Sequence, residues 1–179
     1  MRIQGLSYYK PRDYVRRCFW AAIQPVWRLS PRYLWWARNA LIRCFGGDVG
    51  KGVRIYPAAK IIQPWNFSIG SNSVIAWNAT VYCLGKVRIG DGVVISQGSH
   101  LCAGSHDISD NNFKLTRAPI CIEDNVWIAA EAFIGPNISV GRNSIVGARS
   151  VVMRSVPPGV IVAGNPARQL RSRTEAASR

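Results

Sequence analysis

Residues 122–152 read IEDNVWIAAEAFIGPNISVGRNSIVGARSVV. Ile122, Ile128, Ile134, Val140, Val146 and Val152 stand six apart. Neither the 3.6-residue turn of a helix nor the two-residue alternation of a simple strand produces that period. A hexapeptide repeat is the sequence mark of a parallel β-helix, a chain that coils so that each turn stacks on the last. The same beat runs back toward the N-terminus through Val49, Ile55, Ile61; Ile69, Ile75, Val81; and Ile89, Ile95, Leu101. Four residues after these positions the side chain is usually small, as at Ala59, Ser73, Ala79, Gly85, Ser99, Ser105, Ala132, Ser144 and Ser150; Trp65 and Ile138 are bulky exceptions.

Gly50, Gly70, Gly90 and Gly141 open triplets of hexapeptides, with Glu123 in the equivalent place of the remaining triplet. The larger unit is therefore an 18-residue coil with three flat faces and three corners. The beat slips at 67–68, 87–88 and 107–121, each time after the third hexapeptide, so every insertion leaves from the same corner. Five coils at strand spacing make a prism roughly 24 Å tall. Its interior is filled by the aliphatic residues, and Gly, Asn and Asp turn the corners because they tolerate unusual backbone angles. The expected domains are a Trp/Arg-rich helical segment over 1–45, the β-helix over 46–157 with its loop 107–121, and a basic C-terminal tail over 158–179. The tail is expected to turn away through Pro157 and Pro158. Two short helices within 11–45, broken near Pro25 and Pro31, would cover the open end of the coil against edge pairing.

The net charge of +14 sits at the two ends. Residues 1–45 hold nine Lys/Arg against one acid and 168–179 hold four against one, whereas 46–157 are near balance at ten against seven. That distribution is not a basic stripe along a reading face, and no helix-turn-helix, zinc-finger or RNA-binding signature is present; no nucleic-acid partner is expected. The five cysteines are scattered without a C-x-x-C pair, so neither disulfides nor a zinc site is expected. Residues 61–85 are uncharged, but Gln63, Pro64, Asn66, Asn72 and Asn78 argue against a membrane-spanning helix. With no uninterrupted apolar signal core at the N-terminus, a cytoplasmic location is expected. Trp20, Trp27, Trp35 and Trp36 interleave with Arg16, Arg17, Arg28, Arg32, Arg38 and Arg43. Two readings of 11–45 stand side by side. Its helices lie on the inner membrane face, drawn by anionic lipid, or Leu34, Leu41 and Phe45 cap the prism while the arginines face water.

The hexapeptides, with PWNFSIG (64–70), ISQGSHLCAGSHD (95–107), WIAAEAFIGPNISVG (127–141), VGARSVV (146–152) and VAGNPAR (162–168), resemble the left-handed β-helix acyltransferases over about 46–173. Within them the chain is similar to the colanic-acid-type exopolysaccharide O-acetyltransferases. The resemblance implies an all-β, left-handed parallel β-helix, a homotrimer, and acetyl-coenzyme A (acetyl-CoA) bound between neighbouring subunits. It also implies an acceptor sugar, free or assembled on a lipid carrier, and no metal.

Acetyl transfer from a thioester to a hydroxyl needs positioning and a base. A neutral imidazole, with an ordinary pKa of about 6.5, supplies the base near neutral pH. His106, at the interruption of the beat, matches the catalytic base of the resembled family, and the loop after it would reach over substrate. Asp107 is a candidate to orient the ring, although adjacent residues of an extended chain point to opposite faces. His100 reads as a packed or solvent-facing histidine. By resemblance, Trp127 and Ala130 line the thioester end of the cofactor channel, Ala148, Met153 and Arg154 follow the pantetheine arm, and Arg168 and Arg171 lie near the nucleotide phosphates. The plainer readings are exterior packing for Trp127 and solvated arginines. Galactoside- and maltose-type relatives carry Asn-Phe-Asn where this chain has Ala76-Trp77-Asn78, so a small galactoside-like acceptor is not implied. Two other functions share the scaffold. A non-catalytic assembly or binding protein is one; a γ-carbonic-anhydrase-like zinc enzyme, which needs three imidazoles where this chain has two, is the other.

Overall fold

The structure, a computed structural model, describes residues 11–173. Two helices, α1 (Pro11–Leu29) and α2 (Trp35–Cys44), precede a parallel β-helix. The first face stacks Asp48–Val49, Phe67–Ile69, Val87–Ile89, Ile120–Ile122 and Ile138–Val140. The second stacks Arg54–Ile55, Val74–Ile75, Val94–Ile95, Trp127–Ile128, Ile145–Val146 and Val160–Ala163. The third stacks Lys60–Ile61, Thr80–Tyr82, His100–Cys102, Phe133–Ile134 and Val151–Val152. Within each face the strands run parallel and in register, so Ile55 lies over Ile75 and Ile75 over Ile95.

Registration puts like side chains in columns. All the aliphatic residues of the six-residue series are buried, and they form one continuous apolar core. The small residues four places later are needed because they tuck beneath the corners. Ser73 and Ser99 are fully buried, and their hydroxyls donate to the carbonyls of Gly90 (2.8 Å) and Ala129 (2.9 Å) in the next coil. At the corners the chain repeatedly enters the left-handed region, at Asn72 (φ 58°), Gly92 (φ 63°), Asn125 (φ 57°) and Asn143 (φ 59°). Asn and Gly tolerate that region at small cost. Gly70 answers a different demand, since a Cβ there would lie 2.6 Å from the carbonyl carbon of Gly90 in the next coil.

The open end of the first coil is closed by side chains of the helices. Its edge carbonyls have no preceding coil to bond, and a buried carbonyl left unpaired is costly. Trp20 Nε1 donates to the Ile61 carbonyl (2.7 Å) on the third face. Arg38 Nε donates to Ile55 (2.7 Å) and Asn39 Nδ2 to Val53 (2.9 Å) at the second. Arg43 reaches Val49 (2.6 Å) on the first. Arg38 is buried, not solvated as the capping reading supposed, and its remaining donors hold Ser30 Oγ and the carbonyls of Pro31 and Arg32. Leu41 and Phe45 pack against the core as that reading expected.

Three expectations need correction. Pro25 does not break α1, which runs on to Leu29. The missing N–H frees the carbonyl of Ala21, an exposed residue whose carbonyl can turn to water, while buried Trp27 holds down the last turn. The loop expected over 107–121 departs earlier, as an antiparallel hairpin of Gly104–His106 and Leu115–Arg117, so Ser105 is exposed and outside the repeat. The tail does not turn away either. Val156 bridges Val140, and Val160–Ala163 adds a sixth strand to the second face. Arg168–Ser172 folds back antiparallel onto that strand. Pro157 and Pro158 fall at a corner, where no ladder N–H is required, and Gly159 (φ 70°) completes the turn. Ala167 N and Gly164 O meanwhile pair with Val151 (both 2.9 Å), covering the end of the third face with the GNPA turn.

Arg38→Met is expected to lower the unfolding free energy by about 3 kcal/mol, because it orphans several carbonyls at once. Arg38→Lys should recover little of this, since an ammonium cannot reproduce the guanidinium fork. Urea unfolding monitored by tryptophan fluorescence reads both.

Candidate active site

The corner between the third and first faces is where the chain can lengthen without disturbing the columns. The hairpin that leaves there carries His106 at the end of its first strand, opposite Leu115. Its tip is closed by local bonds. Asp107 N donates to Lys114 O (2.8 Å), Phe113 N to Asp110 O (2.7 Å), and Asn112 N to Asp110 Oδ1 (2.9 Å). Phe113 takes a positive φ of 48°, and its carbonyl oxygen lies 2.5 Å from His106 Nδ1. A carbonyl only accepts, so Nδ1 carries a proton, and in the neutral ring the lone pair belongs to Nε2. The ring is exposed. The arrangement is an exposed imidazole held at Nδ1 by the hairpin's main chain.

Asp107 does not orient that ring through its carboxylate. Oδ1 accepts from Ser109 N (2.9 Å) and Ser109 Oγ (2.6 Å), and these bonds hold the carboxyl below its usual pKa. The orienting group is the main-chain carbonyl of Phe113. Nothing in the residue type at 113 announces it, because the contact depends on the hairpin's curl.

His100 is the packed histidine. Its ring stands edge-on to Phe133 (5.5 Å) and Tyr82 (6.4 Å) on the third face, and Nε2 is buried without a hydrogen-bond partner. Burial pulls its pKa below the ordinary histidine value.

The other expected site residues fall into two groups. Trp127 lies on the second face, exposed, its Nε1 donating to Ser96 Oγ (3.0 Å) in the coil before. Ala130 and Ala148 occupy successive coils at the corner between the second and third faces, where the Ala130 carbonyl accepts from Arg149 N (2.9 Å). Arg149 and Glu131 pair across these same coils at 2.6 Å. Arg168 and Arg171 belong to the reversed strand beside the second face and are exposed. The second group, Met153 and Arg154, lies at the third-to-first corner, two coils beyond the one that the His106 hairpin leaves. Met153 Sδ fills the space over Gly135, where a Cβ would come within 2.7 Å. One protomer therefore carries His106 and the Trp127 group on opposite edges of its third face. Among the described residues, no group of three or more His, Cys, Asp or Glu side chains is placed to hold a metal ion.

A protein-family model, bacterial transferase hexapeptide (six repeats), matches residues 122–154. The colanic acid biosynthesis acetyltransferase WcaF of Escherichia coli K12, its own activity provisionally assigned, is 39% identical over 157 residues, covering 88% of this chain and 86% of that protein. Among solved structures, galactoside acetyltransferase in complex with coenzyme A superimposes with a TM-score of 0.87 at 26% identity, over 97% of this chain and 88% of that one. A hexapeptide-repeat acetyltransferase of Vibrio cholerae O1 biovar eltor, complexed with acetyl coenzyme A, gives 0.83 at 28% identity, over 96% and 92%.

A histidine whose folded pKa is lowered costs stability as acid is added. Above about pH 6.5 neither state binds the proton; below it the unfolded chain takes the proton first, and the fold weakens toward the lower, folded pKa. His100→Phe removes this titration. Urea melts at pH 7.5 and pH 5 should show the wild type losing more stability between the two than the variant.

Proposed function

We propose that this chain, which belongs to the hexapeptide-repeat acetyltransferase family, carries acetyl from acetyl-CoA to a saccharide hydroxyl in exopolysaccharide assembly, with His106 as general base. The observation that carries this reading is the Nδ1 bond to the Phe113 carbonyl, which in the neutral ring puts the lone pair on Nε2 of an exposed side chain. The acceptor O–H donates to Nε2. As its oxygen attacks the thioester carbonyl carbon, the proton passes to Nε2 and the carbonyl becomes an oxyanion, which a main-chain N–H can hold. Collapse of that tetrahedral species expels the coenzyme thiolate, which takes the proton back from Nε2. The base ends each cycle as it began.

The separation of the two groups supports an assembly, by resemblance a homotrimer, in which the corner of one protomer meets the second face of the next. The surfaces suit that use. Trp127 is an exposed flat ring, Ala130 and Ala148 keep the adjoining corner shallow, and Arg168 and Arg171 stand in solvent where nucleotide phosphates need cations. Met153 and Arg154 lie toward the corner of the base and would follow the pantetheine arm.

His106→Ala should reduce kcat by about 10²–10⁴-fold with little change in the KM for acetyl-CoA; the ring is exposed, so its thermal melt should match the wild type. Turnover at the wild-type rate overturns the base assignment. Arg168→Ala with Arg171→Ala should raise the KM for acetyl-CoA by about tenfold, and leave that for S-acetylpantetheine, which lacks the nucleotide phosphates, unchanged.

A further inference from the structure

The helix that caps the prism spends its polar anchors inward, and its outer half is left apolar. Among the described side chains of α1, every exposed one except Arg28 is uncharged. Val15, Phe19, Ala22, Val26 and Leu29 recur at three- and four-residue steps, so they line one face, opposite the buried Trp20 and Trp27. Val26 and Leu29 are 66% and 85% exposed. Tyr33 and Trp36, just beyond the helix, are exposed as well. From Val15 to Leu29 the stripe runs about 21 Å along the helix. A contiguous apolar face of that length marks a contact surface.

The cations lie around the helix from it. Arg17 and Arg28 stand toward the coil-facing side with Trp20, roughly 140–160° from the stripe, and with Lys60, Gln24, Ile61 and Ile62 they line a cleft of about 260 Å³ between α1 and the first coil. On the other side Arg16 lies over the Trp65 ring, 5.5 Å from its centroid. Asp13 is the one acid in the helix. We propose that α1 is a membrane-docking surface that lies in the plane of an anionic bilayer, its Val15–Leu29 stripe in the acyl boundary and the basic charge of the N-terminal segment drawn to the lipid phosphates. The charge selects this occupant over a second copy of the chain. A two-fold contact through the stripe would bring together two copies of a segment that holds nine Lys/Arg against one acid over residues 1–45. No described helix is long and apolar enough to cross a membrane, and the surface proposed here lies on it instead. The proposal stands apart from the acetyl-transfer reading.

The test is co-sedimentation of the full chain with vesicles. At low salt the protein should pellet with phosphatidylglycerol–phosphatidylethanolamine vesicles and stay in solution with phosphatidylcholine, and 0.5 M salt should release most of it. Val26→Glu with Leu29→Glu alters side chains that project into solvent and should cut partition at least tenfold, with melts and acetyl transfer to a soluble acceptor unchanged. Equal recovery in the supernatant with and without anionic vesicles overturns the proposal. So does undiminished binding by the stripe variant, or a loss of oligomer mass in that variant, which would assign the face to contact between copies.

Discussion

A coil whose interior is one column of aliphatic side chains per face can neither gain nor lose a residue within a face. A slip of one place along any strand would turn its buried Ile or Val outward and break register with the coils on both sides. Extra residues can therefore leave only at a corner, and all the insertions of this chain leave between the third and first faces. The longest becomes the hairpin that bears His106. The rigidity of the prism thus decides where such a hairpin can stand, and the hairpin's own main chain decides which nitrogen of the neutral His106 ring carries its proton.

The same economy explains the N-terminal segment. Stacking leaves bare carbonyls on all three faces of the first coil, and Trp20, Arg38, Asn39 and Arg43 meet them. Residues on the inner sides of the two helices are fixed by that task. The outward residues of α1 are not, and in a helix designed only to cap a soluble domain they would be polar. Their apolar character is unexplained by the prism.

Periodic features were legible in the sequence, and features made by one contact were not. The aliphatic beat located the interior residues and the insertion corner, because a column in register forces the same residue class at every rung. The hairpin's start at Gly104 was hidden, since Ser105 is small and keeps time by coincidence. Phe113 could not be singled out, because its carbonyl acts where any residue would supply the same atom. Pro25 and the Pro157–Pro158 pair misled through their local preferences. Buried Trp27 carries the helix past the first, and a corner accommodates the second. The arginine that proved buried, Arg38, is indistinguishable by type from its solvated neighbours; only the geometry of the bare first coil gives it acceptors.

The reversed segment Arg168–Ser172 lies against Val160–Ala163 with its direction opposite to that of every rung below it. A strand pointing the wrong way offers no template for another coil, and the opposite end of the stack is plugged by indole, amide and guanidinium groups. Among the described residues, the second face therefore ends without a parallel rung on which another coil could continue, and the edge carbonyls of the first coil are already taken by α1 and α2.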